Sequence, residues 1–180
     1  FLCGAVPQRM VEFTRRSPSK GTINAVADPV TVAKGYAEAG AMAVSVLTDE
    51  KYFGGSLADL EAVRRELSIP ILRKDFIVDE YQVLEAKASG ADIVLLIAAA
   101  LTPYQVSHLA ALAVSLGMEV LFEIHEEEEL GKLCPDISFV GVNNRSLRTF
   151  KVDTTTSIKL AEKIPEGFVK VSESGLSSSH

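Results

Sequence analysis

The sequence predicts an α/β fold, a (β/α)8 TIM barrel that here covers strands one to seven only. Three observations predict it. Seven short apolar runs recur at a regular pace along the 180 residues. Helix-like stretches with recognisable start signals separate them. Three junctions, "AGAMAVSVL", "SGADIVLLI" and "LGMEVLFEI", repeat one pattern, in which a glycine ends a helix just before a strand. Glycine there can take the left-handed conformation that a side chain resists. Strands alternating with helices run parallel and are joined by right-handed crossovers. Seven such strands suit a barrel better than the runner-up, an open doubly wound sheet, whose G-x-G-x-x-G fingerprint is absent.

The elements follow in order. "RMVEF" (9–13) is the first strand. "DPVTVAKGYAEAG" is the first helix, with Asp28 as N-cap, Pro29 at its first position and Gly40 at its end. "AVSVL" (43–47) is the second strand, and "SLADLEAVRREL" (56–67) is a helix opening on Ser56 with an acidic first turn. "PILRK" (70–74) and "DIVLLIA" (92–98) are strands three and four, followed by helices "DEYQVLEAKASG" (79–90) and "TPYQVSHLAALAVSLG" (102–117). "EVLFEI" (119–124) is strand five. In "HEEEEL" after it, His125 reads as a cap that starts an acidic helical face. "SFVGVN" (138–143) is strand six, "TTTSIKLAEKI" (154–164) a helix, and "FVKVS" (168–172) strand seven. Several runs are continuous in Val, Ile and Leu, as strands buried on both faces should be.

Composition excludes several function classes. Apolar residues make up 47% and charged residues 23%, an ordinary globular balance. A net charge of −6 argues against nucleic acid as a partner. No run approaches the ~18 apolar residues of a membrane span, so no membrane partner is expected. The opening "FLCGAVPQRM" has no basic segment ahead of an apolar one, and no secretory leader is expected. Cys3 and Cys134 form neither a metal spacing nor a disulfide framework. No metal is expected, and a reducing cytoplasm is the expected location.

Chemistry gathers at the strand ends, where this barrel type keeps its active site. Strand one ends in Glu12, strand three in Arg73-Lys74-Asp75, and strand five in Glu123-Ile124-His125. Strand six ends in Asn143-Asn144-Arg145, and strand seven in Ser172-Glu173-Ser174-Gly175. A sheet built only for stability has no reason to place polar groups on one rim. The loop "TRRSPSKG" (14–21) hangs over the same rim, and its cations suit an anionic substrate. "SESG" fits a phosphate site of backbone N–H groups, where Gly175 allows close approach. Lys74 and Asp75, as neighbours, should point to opposite faces of the strand.

Several motifs then carry a resemblance. "EFTRRSPSKG", "ADP", "SVLTDEKYFGGS", "PILRKDFIVDEYQ", "EAKASGAD", "VGVNNRSLRTF" and "VSESG", in this order, closely resemble the indole-3-glycerol-phosphate synthase family of tryptophan biosynthesis. The likeness runs from about residue 9 to 176. It implies ring closure, decarboxylation and dehydration of a carboxyphenylamino deoxyribulose phosphate, a phosphorylated anthranilate-ribulose substrate, with no cofactor. It implies Lys74 as general acid, Glu123 as a base and Glu12 as the first-strand carboxylate. Asn143 and Ser174 match polar groups that orient the substrate. Arg16 and Arg145 match cations that contact it, with Ser17 and Gly175 beside them. Pro18, Phe53, Phe76 and Leu147 match the apolar walls around its ring. A tryptophan-pathway enzyme is the implied macromolecular partner or fused domain.

The sequence departs from the family in two respects. The family reads Glu-x-Lys after strand one, and this chain reads Glu12-Phe13-Thr14. Residues 1–180 are expected to form one barrel domain without the family's N-terminal extension and eighth βα unit. Ser146 also stands where the family usually has Asp. A catalytically impaired barrel that binds the ligand, or serves as a scaffold, is therefore an alternative. A phosphoribosylanthranilate isomerase-like barrel is another, but it calls for a cysteine base near the first strand end, and Cys3 lies before that strand.

Overall fold

A computed structural model describes residues 8–146 and 151–174. Seven parallel strands form one sheet in sequential order. They are β1 (Met10–Phe13), β2 (Ala43–Leu47), β3 (Ile71–Lys74), β4 (Ile93–Ile97), β5 (Glu119–Ile124), β6 (Phe139–Asn143) and β7 (Val169–Glu173). Helices join them: α1 (Pro29–Glu38), the short α2 (Glu50–Phe53), α3 (Leu57–Glu66), α4 (Glu80–Ala88), α5 (Pro103–Ser115) and α6 (Thr154–Lys163). The sheet is the curled wall of a (β/α)8-type barrel through its seventh strand. Among the described residues no helix is long and apolar enough to cross a membrane.

The central strands are apolar on both faces because each face has its own core. Outward residues such as Val44, Val46, Ile71, Val94, Leu96, Val120, Phe122 and Val140 pack against Ala33, Leu60, Val83, Val106 and Leu109 of the helices. Inward residues Leu72, Ile93, Leu95, Leu121 and Phe139 pack inside the curve, with Met10, Ile97, Val169 and Val171 against them. The helix starts are capped as the sequence implies. Asp28 accepts from Thr31 N–H, Ser56 from Asp59 N–H, and Thr102 forms a reciprocal box with Gln105. Gly40, Gly90 and Gly117 have φ of 87°, 95° and 79°, the left-handed turn that the repeated junction needs.

Two regions differ from the sequence reading. After β5 there is no α-helix but a 3₁₀ segment, Glu127–Lys132. Its N-cap is Glu126, in a reciprocal box with Glu129, so His125 is not the cap. The loop after β1 is folded: Arg16–Ser17 and Gly21–Thr22 pair as a small antiparallel hairpin.

Candidate active site

The inward alternation that buries apolar residues lower in the barrel ends, near the rim, in four ionisable side chains. These are Glu12 on β1, Lys74 on β3, Glu123 on β5 and Glu173 on β7. All four come from odd-numbered strands, which is how this fold assembles a single layer of four interior side chains. Lys74 Nζ donates to Glu12 Oε2 at 2.6 Å, across the barrel. The two side chains are 27 % and 40 % exposed, so this pair faces the open mouth. Desolvation works against the ammonium, but Glu12, Glu173 and Glu123 outweigh it, and the pKa of Lys74 is raised. Lys74 is therefore a charged donor at neutral pH.

The opposite side of the layer is dry. Glu123 is 4 % exposed. Its Oε1 accepts from Asn143 Nδ2 at 3.0 Å, and Asn143 Oδ1 accepts from Ser174 Oγ at 2.8 Å. Ser174 reaches that position through φ 65°, a conformation costing a non-glycine residue on the order of 1 kcal/mol. Buried Asn144 holds the turn by donating to the carbonyls of Glu173 and Ser174 at 2.8 and 2.9 Å. Glu173 packs over Gly141, where a Cβ would lie 2.6 Å from its Oε1. Burial, and then the adjacent Glu123 carboxylate, push the Glu173 carboxyl well above the usual range, and the attraction of Lys74 does not offset them. Glu173 Oε2 is buried with no hydrogen-bond partner among the described residues.

Lys74 and Asp75 do part to opposite faces. Asp75 Oδ2 accepts from Thr48 Oγ1 at 2.6 Å and from Arg73 at 3.3 Å, behind the strand. Arg73, only 4 % exposed, also donates to the carbonyl of Gln82 at 2.7 Å. It is a strut between β3 and α4, not a site cation.

Loops flank the polar layer. Arg145 donates to Ser19 Oγ and so links the loops after β6 and β1. Arg16 donates to the carbonyl of Glu50 at 2.6 Å and also to that of Lys51. Its fork therefore holds α2 in place and offers only its remaining N–H groups to a ligand. Arg15 forms a two-pronged ion pair with Asp59 of α3 and stands over the Phe13 ring at 5.2 Å. Ser17 Oγ accepts from Lys20 N–H at 3.2 Å inside the hairpin, and Pro18 is exposed at its tip. Phe53 and Phe76 lie 6.4 Å apart at a 36° tilt, and Tyr52 meets Phe76 edge-on. Phe76 is 46 % exposed, an apolar surface open to a ligand. Leu147 and Gly175 lie outside the described residues.

The sequence reading named Glu12, Lys74, Glu123, Asn143 and Ser174, and the fold brings all five together. It does not name Glu173 as a site residue, placing it only within the "SESG" turn. The signal was present: Val169, Val171 and Glu173 alternate along one strand, so Glu173 shares their inward face. Among the described residues no His, Cys, Asp and Glu cluster could hold a metal ion.

A family model described as indole-3-glycerol phosphate synthase matches residues 5–180. The chain belongs to this family. It is 52% identical over 168 residues to an indole-3-glycerol phosphate synthase from Bacteroides thetaiotaomicron, covering 93% of this chain and 65% of that protein. A Parafrankia sp. indole-3-glycerol phosphate synthase is also 52% identical over 168 residues, covering 93% of this chain and 63% of its own length. The chain thus spans just under two thirds of these indole-3-glycerol phosphate synthases. Among solved structures, 3-keto-L-gulonate-6-phosphate decarboxylase from Vibrio cholerae superposes with a TM-score of 0.68 at 15% identity, over 92% of this chain and 77% of that one. A tryptophan synthase complex from Pyrococcus furiosus gives 0.64 at 16% identity, over 94% and 79%. At those identities the likeness concerns the fold.

Proposed function

We propose that the chain carries the catalytic barrel of an indole-3-glycerol-phosphate synthase, acting on 1-(2-carboxyphenylamino)-1-deoxyribulose 5-phosphate. The observation that supports this most directly is one ammonium, Lys74, set among three carboxyl groups on a single interior level. The proposed reaction needs that mixture of acids and bases. The ring carbon bearing the carboxylate attacks the ribulose carbonyl, and Lys74 gives its proton to the oxygen as negative charge develops there. Carbon dioxide leaves with its bond electrons returned to the ring. The new hydroxyl then departs as water, and a base takes a proton from the neighbouring CH2 to form the indole double bond. Glu123, fixed by Asn143, is proposed as a base, and Glu12 as the partner that receives or restores the Lys74 proton. Glu173, whose carboxyl burial and the neighbouring Glu123 hold above the usual range, is proposed as the donor to the departing hydroxyl.

Phe53, Phe76, Pro18 and Leu147 are proposed to enclose the anthranilate ring, with Arg16, Ser17, Arg145, Ser174 and Gly175 around the sugar phosphate. We further propose that residues 1–180 are one barrel domain, that it works in the cytoplasm without a cofactor, and that its macromolecular partner or fused domain is a tryptophan-pathway enzyme. The test is indole-3-glycerol phosphate formation by the full protein and by its Lys74→Met variant. Lys74→Met is expected to lower kcat by a factor on the order of 10² to 10⁴, the usual range for losing a general acid. Turnover largely retained in that variant would exclude the role given to Lys74. No product from the parent protein would exclude the activity.

A further inference from the structure

We infer that His125 is a positioning residue for Glu123, donating a hydrogen bond from Nε2 to its carboxylate. The inference deepens the proposed function above and rests on it for its kinetic consequence. His125 follows β5 directly. Its side chain is 7 % exposed and that of Glu123 is 5 % exposed. Nε2 lies 3.4 Å from Glu123 Oε1. Neither ring nitrogen has a hydrogen-bond partner among the described residues. A buried imidazole with two unmet polar atoms is costly, and burying it for packing alone gains nothing that Leu or Phe would not supply.

Among the described residues, Glu123 is the carboxylate that lies within 4.0 Å of a ring nitrogen. On the inner side the ring faces Glu123, whose Oε1 already accepts from Asn143. On the outer side it borders a cleft lined by Glu126, Glu127, Lys159, Leu160 and Lys163. Lys163 is taken by an ion pair with Glu127. The backbone of His125 is fixed as well: its N–H donates to Glu129 Oε2 at 2.6 Å, and Glu126 N–H donates to the same oxygen at 3.2 Å. With the Cα held, the ring has little travel. Closing the 3.4 Å gap to the ~3.2 Å limit of an N–H···O bond needs only a small rotation. A bare lone pair on Nε2 would face a carboxylate oxygen at that distance and be repelled, so Nε2 carries a proton. Glu123 Oε1 is then gripped by Asn143 from β6 and by His125 from its own strand end. Two donors from different elements fix the plane of the carboxylate, which proton transfer to or from a substrate requires.

His125→Leu and His125→Gln in the full protein test this, because Gln keeps an N–H donor and Leu does not. The Leu variant should lose at least about 10-fold in kcat with KM nearly unchanged, within the ~10²-fold that a 1 Å misplacement can cost. The Gln variant should regain most of that loss. Unchanged kcat in the Leu variant, or equal losses in both, overturns the inference. A second measurement needs neither turnover nor a variant of His125. Nitrogen-15 NMR of the imidazole should show a proton on Nε2, with a signal that moves in a Glu123→Gln protein. A proton on Nδ1 only, or a signal blind to Glu123→Gln, overturns it. Absence of indole product in the parent removes the proposed activity while the NMR result still decides whether His125 holds Glu123.

Discussion

Glu173 is the side chain whose charge the fold sets most strongly. Its carboxyl is buried beside Glu123, and Lys74 is already bonded to Glu12. A carboxyl whose folded pKa is raised binds its proton more tightly in the native state. Its contribution to stability is fully present below the ordinary Glu value, about 4.3, and is lost as pH rises through the raised value. Gln keeps a donor toward Glu123 and never ionises, so it escapes that loss. Glu173→Gln should therefore melt at a higher temperature than the parent at about pH 8, and the gain should vanish toward about pH 4. A gain of equal size at both pH values would show that the carboxyl is not neutral because of the fold. Thr14 makes a second residue-level case. Its hydroxyl donates to the carbonyl of Arg16 at 2.7 Å, so it shapes the turn and brings no charge to the site. Arg15 does not take its place, being committed to Asp59. Thr14→Lys should raise kcat at least ~10-fold, the low end of an acid–base contribution, with a smaller change in KM. If the two proteins run at the same rate, the existing acids suffice for both halves of the proposed reaction.

The loop after β1 shows what an element adds to its residues. Its sequence advertises cations, but their destinations lie far along the chain. Arg15 reaches Asp59, and Arg16 reaches the carbonyls of Glu50 and Lys51. A charge is legible in a sequence; the carbonyl it will meet more than thirty residues later is not. The same holds for His125, whose acidic neighbours suggested a cap while the ring turned inward to Glu123. Strands and helices were legible for a physical reason. A strand with separate cores on its two faces must be apolar throughout, and a helix must satisfy its first N–H groups with Asp, Ser or Thr. Lys74 was legible because parity along a four-residue strand leaves it one direction to point. The Arg15–Asp59 link gives the element-scale prediction. The two side chains are 23 % and 11 % exposed, between a surface pair and a buried one. Asp59→Ala should cost about 2 kcal/mol, between the ~0–1 of exposed pairs and the ~3–5 of buried ones. It should also loosen the loop that carries Ser17 and Pro18, so KM should rise more than kcat falls. A variant with parental stability and KM would mean that the hairpin holds its place without α3.

At the scale of the whole molecule, the sheet has two ends. Among the described residues β1 pairs with β2 alone and β7 with β6 alone. The consequence is visible in burial. The four leading residues of β4, in the middle of the sheet, are buried, whereas all five residues of β7 are only half-buried. Val169 and Val171 point into the barrel yet lack the cover that Leu95 and Leu121 have. An edge strand presents a row of unpaired N–H and C=O groups, and one with half-buried valines adds an apolar face beside it. Pairing with another chain satisfies both. The 180-residue chain, prepared alone, should therefore sediment as more than a monomer at micromolar concentration or unfold without a sharp transition. Hydrogen exchange should report the same asymmetry, with amides of β4 and β5 protected and those of β1 and β7 exchanging early. In a longer protein that gives both edges a neighbour, exchange at β1 and β7 should slow toward that of β4, because the same amides then lie inside a ladder. A compact monomer of the 180-residue chain with one cooperative transition and even protection across all seven strands would contradict this, and would mean that half-buried edges suffice to hold the curl of the sheet.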